Sequence, residues 1–293
     1  MKKWILSTLL ASTLVLTACE SADSEETLET DNNETSQDSD VTDQEETTDS
    51  SDEETADLED DTEEEADVAE SIEYLYEVSD NLAYINVIDG KEANKQVALL
   101  TYDDAPDKHA LELAQVLVEK DAPAIFFVNG MYLDSVEKKE ILKEIHEMGF
   151  AIGNHSQTHP SLPTLTAEQQ TEEIIKTSDL VEEIIGTRPR FFRAPFGQNS
   201  DHSKQVVEDE GMALMNWTYG YDWESEYMES DALADIMVNT NLLVPGSNLL
   251  MHDREWTLEA TPAIIDGLRD KDFELLDPDL ILSDELESED VSE

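Results

Sequence analysis

The chain has 293 residues, 72 of them acidic and 17 basic, for a formal net charge of −55. A chain of that sign repels the phosphate backbone and offers no basic face to anionic lipid headgroups, so nucleic acid is excluded as a partner. The length suits one large domain or two small ones.

Lys2 and Lys3 precede an apolar run from Trp4 to Leu16, too short for a stable membrane span but suited to the hydrophobic segment of a signal peptide. The run ends in Leu16-Thr17-Ala18-Cys19, which resembles a bacterial lipobox, and Cys19 is the only cysteine. Residues 1–18 are therefore expected to be a lipoprotein signal peptide. Cys19 would carry the lipid that holds an extracytoplasmic protein to the cell membrane of a Gram-positive bacterium, with no disulfides. From Glu20 to Glu70 there are 25 acids and no Lys or Arg, interleaved with Ser, Thr and Asn. Such a composition buries little and repels itself, so residues 19–70 are expected to form a disordered acidic tether. As a neutral coil it would average about 40 Å, enough to place a folded domain within a cell wall.

From residue 71 on, 47 acids face 15 bases, so the folded part is acidic in its own right. Ile72, Tyr74, Tyr76 and Val78, then Leu82 and Tyr84, alternate with polar residues before Asp89-Gly90, which predicts a short β lead-in over residues 71–96. Strand, loop and helix patterns then repeat. Strands are expected at 97–102, 124–128, 150–153, 191–193, 213–217, 248–251 and 273–276. Helices are expected around Ala110 to Leu117, from Ile141 to a stop at Gly149, and from a Thr166/Gln169 capping box to a stop at Gly186; the last starts at Thr261-Pro262. Alternating β and α elements imply a parallel sheet with helices outside it. About seven strands in residues 97–276 predict a distorted, incomplete (β/α) barrel, and residues 277–293 read as an acidic C-terminal tail.

The polar clusters all follow strands, so the fold would gather them at the C-terminal mouth of the barrel. His155 and His159 in Asn154-His155-Ser156-Gln157-Thr158-His159-Pro160 are spaced so that both imidazoles can face one divalent cation, on a single turn or a loop. Asp103 and Asp104 end the first barrel strand and can serve one site only if the chain turns between them, as the nearby Pro106 suggests. Arg193, one of five arginines, stands at an apolar strand end and requires a carboxylate partner. His252 at another strand end is a candidate acid or base, with Asp222 to orient it. Trp217, Tyr221, Trp223 and Trp256 read first as packing residues, with Tyr221 and Trp223 carried as candidate sugar contacts.

Taken together, Thr101-Tyr102-Asp103-Asp104-Ala105, His155-Ser156-Gln157-Thr158-His159, Arg193-Ala194-Pro195-Phe196, Asp222-Trp223 and Leu250-Met251-His252 resemble, in order and spacing, the polysaccharide deacetylase (NodB-homology, carbohydrate esterase family 4) motifs. The resemblance implies a hydrolase that removes N-acetyl groups from a cell-wall glycan, peptidoglycan N-acetylglucosamine in the first place. Asp104, His155 and His159 would hold a divalent metal, zinc first, with cobalt, manganese or nickel as alternatives. Asp103 would be the general base held by Arg193, and His252, tuned by Asp222, the general acid. Trp223 and Leu250 would wall the acetyl methyl group, and the backbone N–H of Phe196 would face the oxyanion. Ala105 replaces the usual glycine, which matters only if that position needs φ > 0; Tyr219 stands where some members carry a further Asp. The competing expectations are a chitin or xylan deacetylase and a catalytically inactive wall-binding lipoprotein.

Overall fold

The computed structural model describes residues 73–283. The expected signal peptide, Cys19, the expected tether and residues 284–293 lie outside the described residues. Among the described residues no helix is long and apolar enough to cross a membrane.

The elements run β1 (Tyr76–Val78), β2 (Ile85–Val87), β3 (Val97–Ala105), α1 (Ala110–Glu119), β4 (Ile125–Val128), α2 (Val136–Glu147), β5 (Ala151–Asn154) and α3 (Ala167–Ile185). After them come β6 (Phe191–Phe192), α4 (Asp201–Asp209), β7 (Ala213–Leu214), α5 (Ser230–Asn239), β8 (Ser247–His252), α6 (Glu255–Arg269) and β9 (Glu274–Leu275). β1 and β2 form an antiparallel hairpin, the expected lead-in. The remaining strands make a parallel sheet in the order β7-β6-β5-β4-β3-β8, with β9 against the start of β3.

Period-two alternation decides what fills the barrel and what faces the helices. On β3, Ala98, Leu100 and Tyr102 pack outward under α1, α5 and α6, with Leu249 and Met251 of β8 beside them. Val97 and Leu99 point the other way and join Ile125, Phe127 and Phe191 in an interior plug, closed below by Tyr76 and Ile85 of the hairpin. Gly153 lies in this plug because a Cβ there would stand 2.5 Å from the Phe127 ring. Above the plug the same alternation brings Thr101, Asp103, Arg193 and Asn248 inward, so polar side chains begin where the apolar filling stops.

Four expectations are corrected. The strand expected at 213–217 is in register with β6 at Ala213 and Leu214, and its last bond to β6 is from Met215 N to Phe192 O (3.0 Å). The chain then swings across, and Thr218 N donates to Asn248 O (2.8 Å) while Leu250 N donates to Tyr219 O (2.9 Å). Irregular backbone, not an eighth strand, thus bridges from β7 to β8. The last helix begins at Glu255 and carries Pro262 in its interior. A proline there withholds one helical hydrogen bond, but the buried stripe Ala260, Ile264, Ile265 and Leu268 holds the helix on the sheet. Helices α4 and α5 were not anticipated: α4 has only Val206 and Val207 as apolar residues and rests on a Ser200 capping box. In α5 the four-residue spacing of Leu233 and Met237 was the available signal. Finally, residues 277–283 are not tail. Ile281 is fully buried, pairs with Tyr76, and is followed by Leu282 N donating to Tyr76 O (2.8 Å).

Candidate active site

Strand alternation would aim only one of two adjacent aspartates at the barrel mouth. A β-bulge resolves this. Tyr102 pairs with Phe126 and Ala105 with Val128, so β3 spends one more residue than β4 over the same span. The extra turn is taken at Asp104, whose φ of +64° is left-handed, a conformation that Asp tolerates better than most residues. Ala105 is not among the positive-φ residues, so its replacing glycine costs the turn nothing.

Asp103 is buried and receives Arg193 Nη1 on Oδ1 at 2.6 Å. The guanidinium is itself fully buried and further bound: Nη1 to Thr101 Oγ1 (2.7 Å), Nη2 to Asn216 O (2.8 Å) and to Asn248 Oδ1 (3.0 Å). Its plane lies 4.3 Å from the Phe127 ring centroid, a cation–π contact from the plug below. The carboxylate partner required for Arg193 is thus Asp103, and the second oxygen of Asp103 faces His155 Nε2 at 3.6 Å.

The histidine pair lies on a loop, not a helical turn, with Ser156 (φ +68°) and His159 (φ +56°) both left-handed. Two buried asparagines hold that loop. Asn154 Oδ1 accepts from Ser156 N (2.8 Å), while its Nδ2 donates to Ile174 O (2.8 Å) and Ser178 Oγ (2.9 Å); Asn129 Nδ2 donates to His155 O at 2.5 Å. His155 Nδ1–H donates to Arg193 O at 2.6 Å, which leaves the Nε2 lone pair aimed at the carboxylates. Burial lowers the pKa of His155 against the opposing pull of Asp103 and Asp104, which keeps the ring neutral.

Asp104 Oδ1 is 3.9 Å from His155 Nε2 and 3.8 Å from His159 Nε2, and the three ligand atoms lie within 4.8 Å of one another. These separations are too long for hydrogen bonds and near what two ligands of one cation show. A carboxylate oxygen with two imidazoles, one of them fixed in its tautomer by a carbonyl, is a donor set that fits zinc and neighbouring divalent metals.

His252 is the register partner of Asp103 across β3 and β8. Asp222 is buried and grips His252 twice: Oδ1 accepts from Nδ1 at 2.8 Å and Oδ2 from the backbone N–H at 2.6 Å. Thr257 Oγ1 donates to the same Oδ2 at 2.9 Å. Burial pulls the His252 pKa down, but the hydrogen bond and charge of Asp222, with Asp103 and Asp104 behind it, outweigh burial and raise it.

Asp103, Asp104, His155, His159, Phe196, Trp217, Trp223, Leu250 and His252 line one cavity of about 350 Å³. Phe196, left-handed at φ +59°, stands edge-on to His159 at 4.8 Å and is exposed, as is Trp223, which stands edge-on to His252 at 5.7 Å. Tyr221 is not brought to this cavity. Its ring packs against Tyr219 and Tyr227 and its hydroxyl meets Thr240 Oγ1 at 2.8 Å, so its candidacy as a sugar contact is withdrawn. Tyr219 is also turned away, its hydroxyl donating to Met237 O. Trp217, read from sequence as packing, does line the cavity. Sequence reasoning also passed over Asn129 and Asn154, although an asparagine directly before His155 at a strand end was a visible cue.

A family model described as polysaccharide deacetylase matches residues 90–215, which carry the bulged aspartates, the histidine loop and Arg193. The peptidoglycan-N-acetylglucosamine deacetylase of Bacillus cereus is 34% identical over 194 residues, covering 63% of this chain and 69% of its own length. A family 4 carbohydrate esterase from Streptomyces lividans, solved in complex with acetate, superposes with a TM-score of 0.56 at 27% identity over 63% of this chain and 93% of that one. A wild-type family 4 pseudoenzyme from Bacillus anthracis superposes equally well, with a TM-score of 0.57 at 27% identity over 63% of this chain and 64% of that one. Sequence, fold and the order of the strand-end clusters agree, and the chain belongs to the polysaccharide deacetylase family.

Proposed function

We propose that this protein hydrolyses N-acetyl groups of a cell-wall polysaccharide, peptidoglycan N-acetylglucosamine, to give acetate and a free amine. The observation that carries the reading is the meeting of Asp103, Asp104, His155, His159 and His252 in one cavity whose other walls are Phe196, Trp217, Trp223 and Leu250. Asp104, His155 and His159 would hold a divalent cation, which when bound would supply Lewis acidity for a water and for the amide carbonyl. Asp103 takes the proton of the attacking water through Oδ2, while Arg193 holds Oδ1 and keeps the carboxylate aimed. The N–H groups of Gly197 and Gln198 are spent on Ala194 O and Pro195 O, and the N–H of Phe196, as the family resemblance implies, is the donor assigned to the developing oxyanion. His252, kept protonated by Asp222, gives a proton to the departing amine, which is otherwise a poor leaving group. Trp223 and Leu250 close the apolar side around the acetyl methyl.

The same family includes a pseudoenzyme, so turnover is the point to test. Acetate release from peptidoglycan, chitooligosaccharides and acetylated xylan, measured before and after chelation and again with Zn²⁺, Co²⁺, Mn²⁺ and Ni²⁺ restored, should show metal-dependent release, greatest on peptidoglycan. Absence of release from every substrate with every metal would leave a glycan-binding protein. The Bacillus cereus relative and the expected anchor at Cys19 together support peptidoglycan over soluble glycans. Metabolic labelling with palmitate that persists in Cys19→Ala would remove the anchor from the argument.

A further inference from the structure

Arg254 immediately precedes α6, two residues after His252, and its guanidinium reaches back to the loop that joins β3 to α1. Nη1 lies 2.6 Å from Asp107 Oδ2 and Nη2 lies 3.4 Å from Asp104 Oδ2. The Asp104 carboxylate is thereby divided: Oδ1 faces His155 and His159 at 3.9 and 3.8 Å, and Oδ2 faces the arginine. The adjacent Asp253 fastens the same loop, its Oδ2 accepting from Lys108 N (2.8 Å) and its carbonyl from His109 N (3.1 Å). The motif resemblance ascribes no role to any of these four contacts.

We propose that Arg254 is a positioning residue for the metal ligand Asp104, an inference that rests on the cation site described above. Asp104 is a left-handed bulge residue at a strand end, where neither a regular ladder nor a packed side chain fixes the carboxylate. The arginine fork does so by spanning Asp107 and Asp104 together, which presents one oxygen of Asp104 to the histidines and withholds the other. Two physical roles for Arg254 oppose each other in sign. As a bare positive charge near a divalent cation it would weaken binding, and its removal would tighten it. As a positioning group it strengthens binding, and removal weakens it, as for other residues that orient metal ligands. The bridging geometry selects the second. Lysine keeps the charge but cannot span both carboxylates.

The test is calorimetric titration of chelator-stripped protein with Zn²⁺, with thermal melts run alongside. Arg254→Met is expected to weaken the zinc Kd by about tenfold or more, and Arg254→Lys to fall between it and wild type. Asp107→Asn, which frees one arm of the fork, should weaken binding less and add little in the double variant with Arg254→Met, because both act through the same fork. Zinc bound by Arg254→Met as tightly as by wild type, or more tightly, overturns the proposal. If the melt shows Arg254→Met unfolded, Arg254→Lys and Asp107→Asn decide by the same criterion. Wild type that takes up no zinc would instead overturn the cation-site reading on which this rests.

Discussion

Replacing Asp222 with asparagine isolates what the buried carboxylate does for His252. In the native site one carboxylate accepts three hydrogen bonds, from His252 Nδ1 on Oδ1 and from His252 N and Thr257 Oγ1 on Oδ2. An amide has only one oxygen. With it toward the ring, the His252 backbone N–H meets another donor; with it toward the backbone, the ring N–H does. Either orientation leaves a buried donor unpaired, at a cost of about 1–3 kcal/mol, or a fall in Tm of a few degrees for a domain this size. The charge is lost as well, and a charge-assisted hydrogen bond to an ionised group is worth about 1.5–3 kcal/mol, which converts to roughly a ten- to hundredfold smaller protonated fraction of His252 on its alkaline side. The sign follows directly: Asp222 raises the pKa of His252, a general acid works only while protonated, and so the alkaline limb of the kcat/KM profile must move to lower pH in the variant. The assay is acetate release from an N-acetylglucosamine oligomer across pH 5 to 10 at saturating metal. An alkaline limb that stays in place, with only a uniform loss of rate, would refute the assignment of His252 as the acid under Asp222 control.

Three further outcomes are expected. His159→Ala should lose both bound metal and turnover, whereas His252→Ala should keep metal stoichiometry and lose turnover, read by elemental analysis beside acetate release; equal metal loss in both would mean the roles are misassigned. Arg193→Met leaves the Asp103 carboxylate buried and unpaired, so unfolding should cost about 3–5 kcal/mol less by denaturant titration, and a change below 1 kcal/mol would show that the pair is not the tie described. Added NaCl should raise the Tm by screening the mutual repulsion of a domain with 47 acids and 15 bases from residue 71 on, and a steady fall in Tm with salt would remove that reading.

The barrel was legible because its strands are short apolar runs punctuated by Gly149 and Gly186, and because the Thr166/Gln169 capping box is local chemistry that survives into the fold. What was not legible depended on contacts distant in sequence. Residues 277–283 look like tail until Ile281 meets Tyr76, some two hundred residues away. The turn at Leu214 is set by the pull of β8 on Thr218 and Tyr219, which no window around residue 214 contains. In the site, each motif residue could be read because its chemical type declares it, but Tyr221 and Trp217 exchanged places. Both aromatics sit near a strand end, and only the path of the irregular chain after β7 decides which ring meets the cavity and which joins Tyr219 and Tyr227.

The acidity of the chain bears on the site itself. Asp103, Asp104, Asp107, Asp222 and Asp253 all stand around the barrel mouth within reach of one another's fields. Asp253, deeply buried, has its pKa pushed up to about 7 by burial, with Asp107 and Asp104 adding to the rise against the opposing Lys108 hydrogen bond and Arg254. Of the five arginines, 188 and 190 are engaged with Asp179, Glu182, Glu210 and Asp279 away from the mouth, and 269 caps the end of α1 through Lys120 O and Asp121 O. At the mouth Arg193 and Arg254 divide the cluster: Arg193 holds Asp103, Arg254 holds Asp107 and one oxygen of Asp104, and Lys108 adds an ion pair to the other oxygen of Asp107 (3.0 Å). They leave uncovered Asp103 Oδ2, the proposed base, and Asp104 Oδ1, the oxygen that faces both imidazoles. An excess of carboxylate over guanidinium, with two free oxygens beside two nitrogen donors, attracts a divalent cation more strongly than a balanced surface would. In the proposed mechanism the buried Arg193–Asp103 pair and the partly buried Arg254 pairs therefore do more than hold the fold, because they set which carboxylate oxygen is free to act as ligand and which as base.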